Sequence, residues 1–276
     1  MEYPENMSVL FLVLPMIGSE KFPFPVIINS NKFKPESERN AINISNVDLD
    51  NRVILKNGVF AFNKLLLSLS EDKIGNLYHL VKIKSDQIKA LQNSEWYQEN
   101  IEKEFKKTLE NIELINCNGL YQSYLNLKIP FIPENKTESK DIEFYDIVCD
   151  LIKNQVPNRA EYPFWLKNID FTIFKKVPFR LEAAVKIVEE TKSIGSLSKL
   201  LDKSPIDTTN WLARFINYII LNENGLLTRY SIIPNKSPEG RFLNRDVDIF
   251  VDNGVDVNLI EIYNKMKNQD YNDILL

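Results

Sequence analysis

The sequence predicts an α/β (α+β) protein of two units, one mixed and one helix-rich. Three observations carry that prediction. Short apolar, β-branched runs (VLFLVL, VIIN, IELIN) alternate with stretches whose apolar residues recur at helical spacing. The polar segment PENKTESKD at 133–141 has no apolar anchor and reads as a linker, dividing the chain into residues 1–140 and 141–276. The second part reads as helices followed by a small C-terminal β element.

Taken in order, residues 8–14 form a buried strand ended by Pro15, and Gly18-Ser19-Glu20 form a turn. Residues 26–29 form a second short strand. The stretch from Ser30 to Asn46 is polar, contains Pro35 and has no periodicity, as functional loops often do. Helical spacing returns over 51–72 (Val53, Val59, Phe60, Phe62, Leu65, Leu66, Leu69) and continues through Leu91. Asn93-Ser94 suits the start of another helix, whose charged face is EKEFKK. Residues 112–116 and 121–132 read as strands around Asn118-Gly119, a dipeptide that favours a tight hairpin. Helices follow at 142–154, 179–191 and 206–221. A strand pair at 229–235 and 247–251 has Gly240 in its connection, and a helix closes the chain near 257–267.

The 276 residues are 44% hydrophobic, enough for a sizeable core, and carry a net charge of −4. Basic residues are scattered, so neither a nucleic acid nor an anionic membrane finds an electrostatic footprint. The apolar run 9–17 is too short to span a bilayer and is preceded by Glu2 and Glu5, not by Lys or Arg. A cytoplasmic location is expected, with Cys117 and Cys149 as reduced thiols.

Little else in the chain carries chemistry. Its eight glycines form neither a phosphate loop nor a dinucleotide fingerprint. His79 is the one histidine, too few for a His-based metal cluster. Carboxylate pairs such as Glu102/Glu104 and Glu189/Glu190 read as solvated helix faces, and Trp96, Trp165 and Trp211 read as core. The loop after the second strand is different. It holds a single arginine, Arg39, placed to reach a phosphate held by a neighbouring domain. A guanidinium is always charged and grips phosphate oxygens bidentately. The plainer reading is an exposed arginine paired with Glu36 or Glu38. Ser30, Asn43 and Asn235 are further candidates, each also readable as a turn or cap residue.

The stretch FPFPVIINSNKFKPESERNAINIS, 22–45, resembles the start of the middle domain in the ninety-kilodalton heat-shock chaperone family. There a strand leads into a Ser-acidic-acidic-Leu-Pro stretch that ends in Ser-Arg-Glu. Ser30 and Arg39 keep the family's nine-residue separation, and Phe33 takes the apolar slot. Pro35 falls one position late, Asn40 replaces an acidic residue, and Glu36 stands where that family has asparagine. The segment 14–42 is more similar to sacsin-like bacterial ATP-binding proteins of the same GHKL superfamily. EYPFWL at 161–166, and SIIPN with the later Gly-Arg-Phe at 231–242, resemble a recurring C-terminal portion of those proteins.

That resemblance implies a ribosomal-protein-S5 domain-2-like first unit lying just after an ATP-binding domain. It implies that Arg39 contacts the γ-phosphate, with Ser30 and Asn43 near the nucleotide. ATP and magnesium would enter only through the upstream domain, because its catalytic Glu, Asp-x-Gly-x-Gly turn and Gly-rich lid have no counterpart in this chain. The expected partners are that ATP-binding domain, in cis or in trans, and a client protein. The alternative is a stand-alone protein–protein interaction module with no nucleotide role.

Overall fold

The computed structural model describes residues 7–36, 41–45, 49–81, 85–91, 93–133, 138–237 and 239–244. They form a mixed α+β structure of two compact units. Unit 1 takes Met1–Ile129 and Asn154–Pro178, and unit 2 takes Pro130–Lys153 and Phe179–Leu276, so the chain passes between them three times.

Unit 1 opens with a three-stranded sheet of order β2-β1-β3, made by β1 (Leu10–Leu12), β2 (Leu14–Pro15) and β3 (Ile28–Asn29). The expected single strand over 8–14 is folded back on itself. Val13 takes a positive φ of 68°, which lets Leu12 pair with Leu14 across the bend. Val13 and Leu14 are therefore exposed, while Leu10 is fully buried. A short 3-10 turn, Ser19–Lys21, follows Gly18, and β3 then pairs parallel with β1.

Helix α1 (Leu49–Glu71) supplies the spine of unit 1. Its buried stripe is Asn51, Leu55, Val59, Phe62 and Leu66, the four- and three-residue spacing of one helix face. By length and composition α1 could cross a membrane, with mean hydropathy 1.2, but it is the only such helix among the described residues and its stripe belongs to this core. Phe24 and Phe105 both meet Phe62, with ring centroids 6.0 and 5.3 Å away.

The helical reading through Leu91 breaks into a 3-10 turn at Leu77–His79 and the short helix α2 (Ser85–Lys89). The helix starting near Asn93 is present as α3 (Ser94–Tyr97), a π turn at Gln98–Glu102 and α4 (Lys103–Asn111). Its buried residues Tyr97, Ile101, Phe105 and Leu109 recur every fourth position. A strict four-residue repeat drifts by about 40° per step around a regular α-helix. One wider π turn returns the stripe to the core side. The Tyr97 hydroxyl donates to the Pro23 carbonyl at 2.7 Å, tying this helix to the segment before β3.

The hairpin of β4 (Ile115–Cys117) and β5 (Leu120–Gln122) forms as its dipeptide predicts, with Asn118 and Gly119 at φ 55° and 95°. The chain leaves unit 1 along β6 (Ile129–Pro130). Returning residues 154–178 contribute α6 (Tyr162–Asn168), whose Trp165 is fully buried and donates to Glu161 at 3.0 Å.

Unit 2 is built from α5 (Glu138–Val148), α7 (Leu181–Thr191), α8 (Ile194–Leu201) and α9 (Pro205–Glu223), with β7 (Pro178–Phe179) leading in. Helix α5 begins four residues before the expected start and takes in part of the polar linker; residues 134–137 lie outside the described residues. The Trp211 indole donates to the Ile147 carbonyl at 2.9 Å, and Phe144 stacks on Tyr218 at 5.7 Å, joining α5 to α9. Ser193 caps α8 and Ser204 caps α9, each accepting from the backbone N–H three residues on. After α10 (Leu226–Arg229), β8 (Ile233–Pro234) pairs with β9 (Phe242–Leu243). The strand expected at 247–251 and the helix near 257–267 lie outside the described residues.

Candidate functional site

The segment that leaves β3 and enters α1 is fastened at its base. Ser30 donates its N–H to the Phe11 carbonyl at 3.0 Å, which holds the end of β3 in the sheet. Its hydroxyl accepts from Lys32 N–H at 3.2 Å and its carbonyl from Phe33 N–H at 3.3 Å, a local turn that sends Phe33 into the core. Pro35 bridges Ile42, and Glu36 N–H donates to the Ala41 carbonyl at 2.9 Å. The loop thus narrows to a two-stranded neck. Residues 37–40, which include Arg39, join Glu36 to Ala41 and lie outside the described residues.

Asn51 locks the neck to α1. It is fully buried and makes three hydrogen bonds: from Lys34 N–H at 2.9 Å, and to the carbonyls of Lys34 at 2.8 Å and Asn43 at 2.9 Å. Both legs of the loop are held by this one amide. Asn43 turns its own side chain to Ser45 N–H at 2.7 Å. Arg52 donates to the Ile44 carbonyl at 2.8 Å and lies over Trp96, 4.7 Å from the ring centroid. Lys34 pairs with Asp50 at 2.6 Å, and that ammonium holds the Asp50 carboxyl below its ordinary range.

Beside the neck, a groove of about 500 Å³ opens between residues 24–32 and α1. Ser30 stands at its rim with Asn29 and Lys32, and Gly58 and Ala61 of α1 lie on the other side. A Cβ on Gly58 would come within 3.1 Å of Ile28 Cδ1, so glycine permits the helix to sit this close to β3.

Of the residues singled out in the sequence, Ser30 and Asn43 flank the same loop and both hold turns. Asn235 does likewise in unit 2, where it accepts from Ser237 N–H and Oγ. Sequence reasoning missed Asn51, whose signal is an amide on an otherwise apolar helical stripe. Among the described residues no group of three or more His, Cys, Asp or Glu could hold a metal. Burial, with Glu161 adding to it, pushes the Cys117 thiol up to about 12, and burial carries Cys149 to about 11. Neither is disulfide-bonded, and both stand in contrast to the depressed thiols of nucleophilic cysteines.

The chain matches no family model, no curated protein and no solved structure. The loop, its neck and the adjoining groove therefore stand on their own physical chemistry.

Proposed function

We propose that this chain is the segment following an ATP-binding domain in a chaperone-like ATPase of the GHKL, heat-shock-ninety-like type, and that its loop carries Arg39 to the γ-phosphate. The observation that supports this most is the fastened neck. An arginine acting on a nucleotide in another domain must be presented from a fixed base, since a mobile arm would lose its ordering entropy at every turnover. Pro35 and Ile42 supply such a base four and three residues from Arg39, and the Asn51 amide holds Lys34 and Asn43, five and four residues from it. The guanidinium would take the γ-phosphate oxygens bidentately and stabilise charge that builds there during transfer.

In this reading the first unit is of the ribosomal-protein-S5 type, ATP and magnesium are held by the upstream domain, and the protein works in the cytoplasm. Docking of the loop links nucleotide state to the arrangement of the protein and so to a client. The test is limited trypsin digestion of the protein together with its ATP-binding domain. ATP is expected to protect the peptide bonds after Lys32 and Arg39. Equal cutting with and without ATP would contradict the proposal.

The second reading, an interaction module with no nucleotide role, is favoured by the groove beside β3. It predicts protection of the same loop by a protein partner and indifference to ATP.

A further inference from the structure

Presentation of Arg39 makes no use of the groove between β3 and α1, and the walls of that groove have the chemistry of a peptide site. We propose that it receives an extended segment of a partner protein, which adds as a strand to the open edge of β3, sets alternate apolar side chains against α1 and carries a carboxylate beside Lys32.

Four observations converge on that occupant. First, among the described residues β3 is an edge strand, with β1 on one side of it only. Ile28 and Ser30 spend their N–H groups on Val9 and Phe11, at 2.9 and 3.0 Å. Successive residues of a strand alternate in direction, so the Asn29 N–H and carbonyl point the other way, to the open edge. The Asn29 N–H has no partner among the described residues. An unpaired strand edge is a template for another chain.

Second, five consecutive residues, Val26 to Ser30, line the groove. Val26 and Ile27 lead into β3 and Ser30 leaves it, so the groove follows the chain along the whole of this strand. Third, the helix wall is apolar and stepped. Ile54 and Leu65 stand at its ends, Ile28 fills the space beside Gly58, and the small, exposed Ala61 leaves room for a side chain of an added strand. Fourth, Lys32 is the charged residue among those lining the groove, and Asn29, Ser30 and Asn57 supply the polar rim. A carboxylate on the occupant complements that charge.

The test uses the full chain, without nucleotide, so its outcome is separate from that of the coupling proposal. Two fluorescein-labelled heptapeptides are titrated by anisotropy, alternating Val and Thr with Asp at one end or at the other. One of them is expected to bind with Kd between about 1 and 100 μM. Ala61→Trp fills the groove from an exposed helix position and is expected to weaken binding about tenfold or more, with the far-ultraviolet dichroism unchanged. Lys32→Glu is expected to weaken it about fivefold. N-methylation of every second peptide nitrogen separates strand addition from simple apolar burial. One phase of methylation should lose binding by about tenfold or more, and the other should stay close to the parent. Binding weaker than about 1 mM for both peptides overturns the proposal. So does tight binding that ignores Ala61→Trp, Lys32→Glu or both methylation phases.

Discussion

At the scale of single residues, the amide of Asn51 does the most for the candidate site. Its three hydrogen bonds satisfy one backbone donor and two backbone acceptors in a buried setting. Asn51→Ala strands those groups and is expected to cost about 2–3 kcal/mol in a urea unfolding titration, with faster proteolysis of the loop in the folded state. Asn51→Asp should be nearly as costly, because a carboxylate accepts from Lys34 N–H but cannot donate to either carbonyl. Parent-like stability of both variants would contradict this role. Cys117 gives a pH-dependent counterpart. Its folded thiol titrates at about 12, above the ordinary range, so the unfolded chain loses this proton first. Its contribution is complete below the unfolded value and is lost as pH rises towards the folded one. Between pH 7.5 and 10 the parent should lose about 1–2 kcal/mol more than Cys117→Ala. Equal losses would mean that the thiol is not held in its neutral form.

At the scale of elements, the hairpin of β4 and β5 shows where local sequence decides structure. Asn118-Gly119 predicts a turn with two positive φ values, and both occur. A Cβ at Gly119 would meet nothing within 4 Å, so Gly119→Ala tests backbone conformation alone. It is expected to cost about 1 kcal/mol by thermal or urea unfolding, whereas Asn118→Gly should be tolerated. A neutral Gly119→Ala would mean that the turn relaxes to another type. Helices α1 and α9 were similarly legible from their apolar spacing, whereas α8, which Ser193 caps, was missed. The run 8–14 was not, because apolar residues suit a strand and a tight bend equally, and nothing local marks Val13 for a positive φ. The π turn before α4 was also hidden, since a four-residue repeat is close enough to helical spacing to pass for it. Of the candidate site, the loop and its polar rim could be read from the sequence. The groove could not, for it exists only once Gly58 has brought α1 against Ile28.

At the scale of the whole molecule, the return of residues 154–178 to unit 1 has no local mark, as it depends on partners distant in the chain. Glu161 and Trp165 belong to that returning segment and help to enclose Tyr78 and Cys117 in unit 1. The loop neck, by contrast, is short-range in sequence and is the feature on which the functional account rests. If it serves to present Arg39 to a nucleotide, loss of the guanidinium must act on turnover and not on folding or on ATP affinity. The most direct measurement is steady-state ATP hydrolysis by the protein isolated from its source together with its ATP-binding domain, Arg39→Ala against parent. The account predicts that kcat falls about a hundredfold or more while ATP affinity changes by less than about twofold. Equal kcat in the two proteins, or no ATP hydrolysis by the parent, would contradict it.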